Sequence, residues 1–151
     1  SSDLIAMEKV TDVIILAAEK VRNSMIENVS FINGNAKNIP EYLCKGEVSR
    51  IYLNFSDPWP KSGHYKRRLT YKDFLEIYKS VLTDDGELFF KTDNRSLFDF
   101  SLEQFEACGF KLRNVTYDLH ASQYNDENIV TEYETIFSGK GFKINRVEAY
   151  L

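Results

Sequence analysis

The alternation of two apolar patterns along the chain constrains its fold more than any other feature. Short apolar runs, which are typical of buried strands, predict strands at residues 4–7, 29–32, 50–55 and 87–91. Stretches with helical spacing or helix boundary signals predict helices at residues 10–25, 40–45, 70–82 and 96–108. Strands that alternate with helices in this way form βαβ units, so we expect a mainly parallel sheet.

Local signals mark several of the boundaries between these elements. Thr70 and Asp73 have the spacing of a capping box at the start of the third helix. Asp84-Asp85-Gly86 predicts a turn before the fourth strand. Gly109 stands where a left-handed residue commonly ends a helix.

After residue 110 the pattern changes to strands without intervening helices. The predicted strands are 111–118, 132–137 and 143–149. Successive strands that lack a crossover helix pair antiparallel, so we expect an antiparallel last strand. The prediction is one α/β domain over residues 1–151. Because the chain begins almost directly in an apolar strand, which would leave a sheet edge bare, we expect an N-terminal strand, loop and helix to be missing.

Composition narrows the class of protein. A hydrophobic fraction of 43% excludes a disordered chain. No apolar run approaches the ~20 residues that a membrane helix requires, and no basic leader begins the sequence, so we expect a cytoplasmic protein. The spacing of Cys44 and Cys108 favours reduced core thiols over a disulfide or a metal site. The net charge of −4 argues against indiscriminate nucleic-acid coating, although residues 61–72 carry five Lys or Arg and no acid.

The loop after the third strand, Asn54 to Lys61, is the most informative segment. Ligands of open α/β sheets bind beyond the carboxyl ends of strands, which is where this loop lies. Prolines stiffen it, Trp59 offers a flat face and Asp57 supplies a charge. A rigid turn with a core tryptophan and a capping aspartate would also explain these residues. The basic residues that follow favour phosphate contacts beside a stacked base.

Four motifs together resemble the bacterial tRNA (guanine-N7)-methyltransferase family. They are Phe55-Ser56-Asp57-Pro58-Trp59-Pro60-Lys61 with His64 and Lys66-Arg67-Arg68-Leu69, Lys91-Thr92-Asp93-Asn94, Asp118-Leu119-His120, and Thr131-Glu132-Tyr133-Glu134. The resemblance implies a Rossmann-like class I methyltransferase fold that uses S-adenosylmethionine. In this family a glycine-rich loop after the first strand cradles the cofactor, and the seven glycines of this chain form no such loop.

The resemblance also implies which residues hold the cofactor. Glu8, at the end of the first strand, stands where Rossmann-like sites place the acid that binds ribose hydroxyls. On sequence alone, a solvated strand-end glutamate would be the simpler interpretation. Asn35 matches the position that contacts the adenine, and its amide offers a donor and an acceptor. Asp57 matches the principal active-site carboxylate, at the boundary between cofactor and target guanine.

Substrate residues follow from the same resemblance. It assigns substrate binding to Lys61, Asp93, Thr131, Glu132, Tyr133 and Glu134, and RNA contact to Gly63, His64, Tyr65, Lys66, Arg67 and Arg68. Without it, residues 131–134 would be interpreted as an edge strand. Guanine N7 has a lone pair and no proton, so Asp57 is expected to act electrostatically and not as a base. Asp93 or Glu134 would accept hydrogen bonds from guanine N1 and N2.

The expected function is therefore methyl transfer to guanine N7 in the variable loop of tRNA, by a monomer or homodimer that needs no membrane and no metal. An amino-group base methyltransferase of the same fold is one alternative, because it also carries an Asp/Asn-Pro-Pro-aromatic loop. Trp59 at the second Pro position and the basic run disfavour it. A non-catalytic RNA-binding module is another, since the glycine loop is absent. A nicotinamide-dependent Rossmann enzyme would give the late strands and the basic loop no role.

Overall fold

A computed structural model describes residues 3–151, which divide into two units. The first unit ends at Tyr42 and the second is Leu43–Leu151. No helix within residues 3–151 has the length and apolar character to cross a membrane.

The first unit is a parallel βαβ unit followed by a short helix. Its elements are β1 (Leu4–Glu8), α1 (Thr11–Asn23), β2 (Val29–Asn33), a 3₁₀ turn (Ala36–Asn38) and α2 (Ile39–Tyr42). The register of the two strands places Glu8 directly opposite Asn33. Both strands therefore end at the same edge, and the loops that follow them start side by side.

The second unit is a four-stranded mixed sheet. Its main elements are β3 (Val48–Asn54), α3 (Lys72–Val81), β4 (Leu82–Thr92), α4 (Arg95–Ala107), β5 (Lys111–Thr116), α5 (Glu132–Gly139) and β6 (Asn145–Tyr150). The strand order is β3-β4-β6-β5. β3 and β4 are parallel, whereas β6 is antiparallel to β4 and β5, so the predicted antiparallel last strand is confirmed.

Alternation along β4 sends one set of side chains into the core of this unit. Leu88 and Phe90 are fully buried. The Phe90 ring lies 6.1 Å from Phe98 and 6.0 Å from Phe105, both on α4. Full burial of one such side chain contributes about 1.5–3 kcal/mol, so these rings fix α4 against the sheet. α3 adds the stripe expected from the sequence, with Phe74, Leu75, Tyr78 and Val81 buried.

The turn predicted at residues 84–86 is a local irregularity inside β4. Val48 pairs with Leu82 and Arg50 with Glu87, so two steps along β3 oppose five steps along β4. Gly86 is buried in this irregular stretch. A Cβ added there would lie 2.8 Å from the Leu82 Cβ and 2.9 Å from the Thr83 carbonyl oxygen. Only glycine fits this close approach without a shift of the backbone.

Two of the predictions for local structure are wrong. Residues 132–137 form α5 and not a strand, because Thr131 and Glu134 make a capping box that starts a helix. The capping box predicted at Thr70 and Asp73 does not form, since α3 is capped by Tyr71 and has no side-chain cap. Thr70 is instead buried, with its hydroxyl 2.7 Å from that of Ser101.

The two cysteines differ in their surroundings. Cys108 is buried at the end of α4, as predicted. Cys44 is exposed and follows α2, so its predicted place in the core is wrong. The short helix that was expected to carry it ends at Tyr42.

Gly86→Ala should lower the free energy of unfolding by about 1–3 kcal/mol, because the new methyl group would overlap Leu82 and the Thr83 carbonyl. Urea denaturation measures this change. Gly139→Ala is the matched control, since a Cβ there meets nothing within 4 Å and alanine favours the helix. Equal stability of the two variants would contradict the close packing at Gly86.

Candidate functional site

The loop after β3 begins with a sharp change of backbone direction. Phe55 has φ 55° and Trp59 has φ 44°, values that non-glycine residues rarely adopt. The Phe55 N–H donates to the Lys91 carbonyl at 2.9 Å, which extends the β3–β4 pairing by one residue. Asp57 lies between Phe55 and Trp59 and is exposed. The loop is thus anchored at the carboxyl edge of the sheet and presents its carboxylate to solvent.

Arg68 holds the far side of this loop. Its guanidinium donates from Nε to the Pro58 carbonyl at 2.9 Å and from Nη2 to the Trp59 carbonyl at 3.1 Å. The same group lies 4.5 Å from the centre of the Phe100 ring. Arginine presents several donors in a fixed fork, so two adjacent carbonyls can be held at once. These bonds stabilise the uncommon backbone conformation of Trp59.

The segment predicted to contact RNA contains exposed residues and half-buried residues. Gly63, Tyr65, Lys66 and Arg67 are exposed on the 3₁₀ helix Ser62–Arg67, and His64 is half-buried against Trp59 with ring centres 5.8 Å apart. The Arg67 guanidinium lies 5.1 Å from the Trp59 ring centre. Arg68 is half-buried and turned inward, so the structure gives it a role in holding the Asp57 loop.

A buried ion pair lies beneath the same edge of the sheet. Lys91 Nζ, from β4, is 2.6 Å from Glu134 Oε2 in the first turn of α5, and both side chains are buried. Lys91 also donates to Asn128 Oδ1 at 3.0 Å and to the Ile129 carbonyl at 2.8 Å. An ammonium group has three N–H donors, so all of them are used within the chain.

The Glu134 carboxylate is equally engaged. Oε1 lies 2.6 Å from His120 Nε2 and accepts from Asn128 Nδ2 at 2.9 Å. Burial tends to raise the pKa of Glu134, but the hydrogen bonds from Lys91, His120 and Asn128 together bring it below its ordinary value. Glu134 is therefore a carboxylate whose oxygens face the interior. Its predicted contact with the guanine stays a prediction that this geometry does not favour.

Tyr133, one residue earlier, points to a different side of the helix start. Its hydroxyl donates to Asp93 Oδ1 at 3.2 Å, and its ring lies 4.7 Å from Phe55 and 4.1 Å from Phe137. Burial and the Asp93 carboxylate raise the pKa of Tyr133, so the phenol is a neutral donor at neutral pH. Tyr133, Asp93 and Phe55 come from three different segments of the chain and meet here, at the carboxyl ends of β3 and β4.

The other predicted substrate residues belong to the loop after β3 and to the start of α5. Thr131 caps α5, with its hydroxyl accepting from the Glu134 N–H at 3.1 Å. Lys61 and Glu132 are exposed. Asp93 is half-buried, and because Tyr133 occupies its Oδ1, the second oxygen can serve as an acceptor for a ligand.

In the first unit, Glu8 and Asn35 lie at the carboxyl ends of neighbouring strands. Glu8 Oε1 accepts from the Val10 N–H at 3.0 Å, and its carbonyl accepts from Gly34 at 3.1 Å. Asn35 Oδ1 accepts from the Lys37 N–H at 2.9 Å. These bonds leave the second Glu8 oxygen and the Asn35 amide nitrogen for a ligand. A carboxylate beside an amide donor fits a ribose and a purine base.

Lys91, His120 and Asn128 were given no role from the sequence. A lysine inside the apolar run Phe89-Phe90-Lys91 was a usable signal, because a buried lysine requires a counter-charge. The partner residue was not identifiable from that run. Residues 3–151 contain no group of three or more His, Cys, Asp or Glu placed to hold a metal ion.

Comparison with known proteins gives consistent results. A family model described as "Putative methyltransferase" matches residues 1–147. The chain is 50% identical to the tRNA (guanine-N(7)-)-methyltransferase of Brevibacillus brevis over 97% of this chain and 69% of that protein. It is 49% identical to the enzyme of the same name from Geobacillus kaustophilus, over 97% of this chain and 67% of that protein.

Solved structures of low sequence identity share the fold. A SAM-dependent methyltransferase from Aquifex aeolicus matches with a TM-score of 0.65 at 17% identity, covering 98% of this chain and 68% of that one. Aeropyrum pernix fibrillarin, solved with natively bound S-adenosyl-L-methionine, matches with a TM-score of 0.62 at 14% identity, covering 97% and 55%. The predicted methyltransferase fold is therefore confirmed.

Glu134→Gln should lower the free energy of unfolding at pH 7 by about 3–5 kcal/mol, because it leaves the Lys91 ammonium buried without a counter-charge. The double variant Lys91→Met, Glu134→Gln should recover part of this loss. Urea denaturation measures both, with the exposed Glu127→Gln as a control expected to change stability by no more than about 0.5 kcal/mol.

The same pair sets a pH dependence. Because the pKa of Glu134 is lowered in the folded chain, its contribution is complete above the ordinary glutamate pKa and is lost as pH falls through the lowered value. The stability difference between the original chain and Glu134→Gln should therefore shrink in acid. A difference that stays constant down to pH 3 would show that the pair is not ionised.

Proposed function

We propose, since the chain belongs to the tRNA (guanine-N7)-methyltransferase family, that it transfers a methyl group from S-adenosylmethionine to N7 of a guanine in tRNA. Because one family model spans residues 1–147, we assign both units to a single methyltransferase domain. The reaction takes place in the cytoplasm, where its tRNA substrate is found.

The observation that carries this proposal is the meeting of Phe55, Asp93 and Tyr133 at the carboxyl edge of β3 and β4. It supplies aromatic faces for a base and a carboxylate oxygen for the donors of that base. Guanine presents N1–H and N2–H₂ donors beside each other, whereas adenine presents an acceptor at N1. Asp93 therefore supports selection of guanine. The exposed Lys66 and Arg67 supply positive charge for neighbouring phosphates.

The predicted active-site carboxylate and cofactor residues have roles that suit this chemistry. When bound, S-adenosylmethionine supplies an electrophilic methyl group, and its transfer leaves the sulfur neutral and the purine positively charged. Guanine N7 has no proton, so the chain needs no general base. Asp57 is exposed on a rigid loop, and its negative charge can stabilise the positive charge as it moves from the sulfonium to the purine. Glu8 and Asn35 hold the ribose and the adenine.

The test is to incubate the chain with unmodified tRNA and labelled S-adenosylmethionine and to identify the methylated nucleoside by mass spectrometry. We expect 7-methylguanosine. Asp57→Asn should lower kcat by about 10²–10³-fold while tRNA binding is retained, because one preorganised electrostatic contact is lost. A labelled methyl group on an amino group of adenine or cytosine would favour an amino-group base methyltransferase of the same fold. Binding of tRNA with no methyl transfer would favour a non-catalytic RNA-binding module.

Within the basic segment, we expect the exposed residues Lys66 and Arg67 to affect tRNA binding and the inward-turned Arg68 to affect catalysis. Lys66→Ala with Arg67→Ala should weaken tRNA binding and reduce the slope of log K against log salt concentration by about 1–2. Arg68→Lys keeps the charge but loses the paired bonds to Pro58 and Trp59, so it should lower kcat and leave the slope unchanged. Fluorescence titrations at several salt concentrations measure the slopes. Equal slopes for all variants would show that Lys66 and Arg67 do not contact RNA.

A further inference from the structure

α5 is held to its unit in an unusual way. It is eight residues long, and its buried residue is the charged Glu134. Tyr133 and Ile136 are exposed, and Phe137 is half-buried. A helix this short is not stable by itself and needs contacts with the rest of the chain. In α5, the side chain that reaches the interior of the unit is the carboxylate of Glu134.

Three other segments of the chain contribute to that carboxylate. Lys91 comes from β4, His120 from the 3₁₀ turn Leu119–Ala121, and Asn128 from the loop that precedes α5. Their nitrogen atoms lie 2.6, 2.6 and 2.9 Å from the Glu134 oxygens. Hydrogen bonds to an ionised group are short and directional, so together they fix the orientation of the helix start.

The orientation of Glu134 determines that of Tyr133. The two residues are adjacent in the first turn of α5, so their side chains leave the helix about 100° apart. With Glu134 fixed in the interior, Tyr133 is directed to Asp93, at a hydroxyl-to-carboxylate distance of 3.2 Å. Rotation of the helix start would remove this bond and the contact with Phe55.

We propose that Lys91, His120 and Asn128 are positioning residues, which act through Glu134 to hold Tyr133 and Asp93 in the arrangement that binds the guanine. Glu134 then belongs to this support and makes no contact with the substrate. The inference rests on the proposed function for the identity of the base, but the placement of Tyr133 is a property of the chain alone.

His120 is the most informative residue to change. Its side chain is about one-third exposed (32%), so the fold tolerates replacement there better than at Lys91 or Glu134. Its Nε2–H donates to the ionised Glu134. His120→Phe keeps the ring shape and removes the donor, whereas His120→Gln supplies an amide N–H at a similar distance from the backbone.

Two readouts are required, one of position and one of activity. Tyrosine labelled with ¹³C, assigned by comparison with Tyr133→Phe, reports the titration of the Tyr133 phenol by NMR. In His120→Phe we expect the pKa of Tyr133 to fall towards that of an ordinary tyrosine, because the phenol leaves Asp93. We also expect kcat/KM for tRNA to fall by about tenfold, an effect typical of one hydrogen bond to a charged group. His120→Gln should restore most of both.

Asn128→Ala provides a second, independent variant, since it removes one donor to Glu134 and one acceptor for Lys91. It should shift Tyr133 in the same direction as His120→Phe. If the Tyr133 titration is unchanged in both folded variants, the positioning proposal is overturned, whatever their activity. If the original chain makes no 7-methylguanosine while the titration shifts as expected, the proposed function fails and the positioning network stands.

Discussion

The ion pair between Lys91 and Glu134 is the interaction on which the candidate site depends. β4 has neighbouring strands on both sides, so the backbone that carries Lys91 is held along both of its edges. Burial of a single charge costs several kcal/mol, and neither side chain would be stable in this position without the other. The two charges therefore tie α5 to the middle of the sheet. Phe55, Asp93 and Tyr133 are arranged around this fixed point.

The sequence predicted the order and type of most elements because strands and helices here have clear and different periods. Leu88 and Phe90 alternate with outward residues, and the stripe on α3 repeats at helical spacing. Two of the failures came from a motif of four residues. Thr131-x-x-Glu134 forms a capping box, whereas Thr70-x-x-Asp73 does not. Two differences separate them. Thr70 bonds Ser101 across the core, and Asp73 is shorter than the Glu or Gln that a capping box normally carries.

The sequence predicted those parts of the candidate site whose positions follow from the strand topology alone. Asp57 and Asp93 follow neighbouring parallel strands, so their loops had to start at one edge of the sheet. The role of Lys91 was not predictable, because its partner is 43 residues away along the chain. Arg68 presents the same difficulty. In the sequence it is equivalent to Lys66 and Arg67, and only the carbonyls of the strained loop distinguish it.

A buried ion pair is not the most stabilising way to attach a helix, since apolar residues of similar volume often serve as well or better. The advantage of the ion pair here is that it fixes the orientation of the helix. Rings such as Phe55 and Tyr133, 4.7 Å apart with planes tilted by 35°, tolerate small rotations, but a carboxylate with several donors does not.

The same network also determines which carboxylates remain for a ligand. All three N–H groups of Lys91 are bonded to Glu134, Asn128 and Ile129, so this ammonium group is not available to bond Asp93. Asp93 keeps an oxygen that can accept from a base, and Tyr133 fixes the direction in which that oxygen points. Under the proposed function, a base would be selected by the donors it offers to this oxygen, which guanine has at N1 and N2 and adenine lacks at N1.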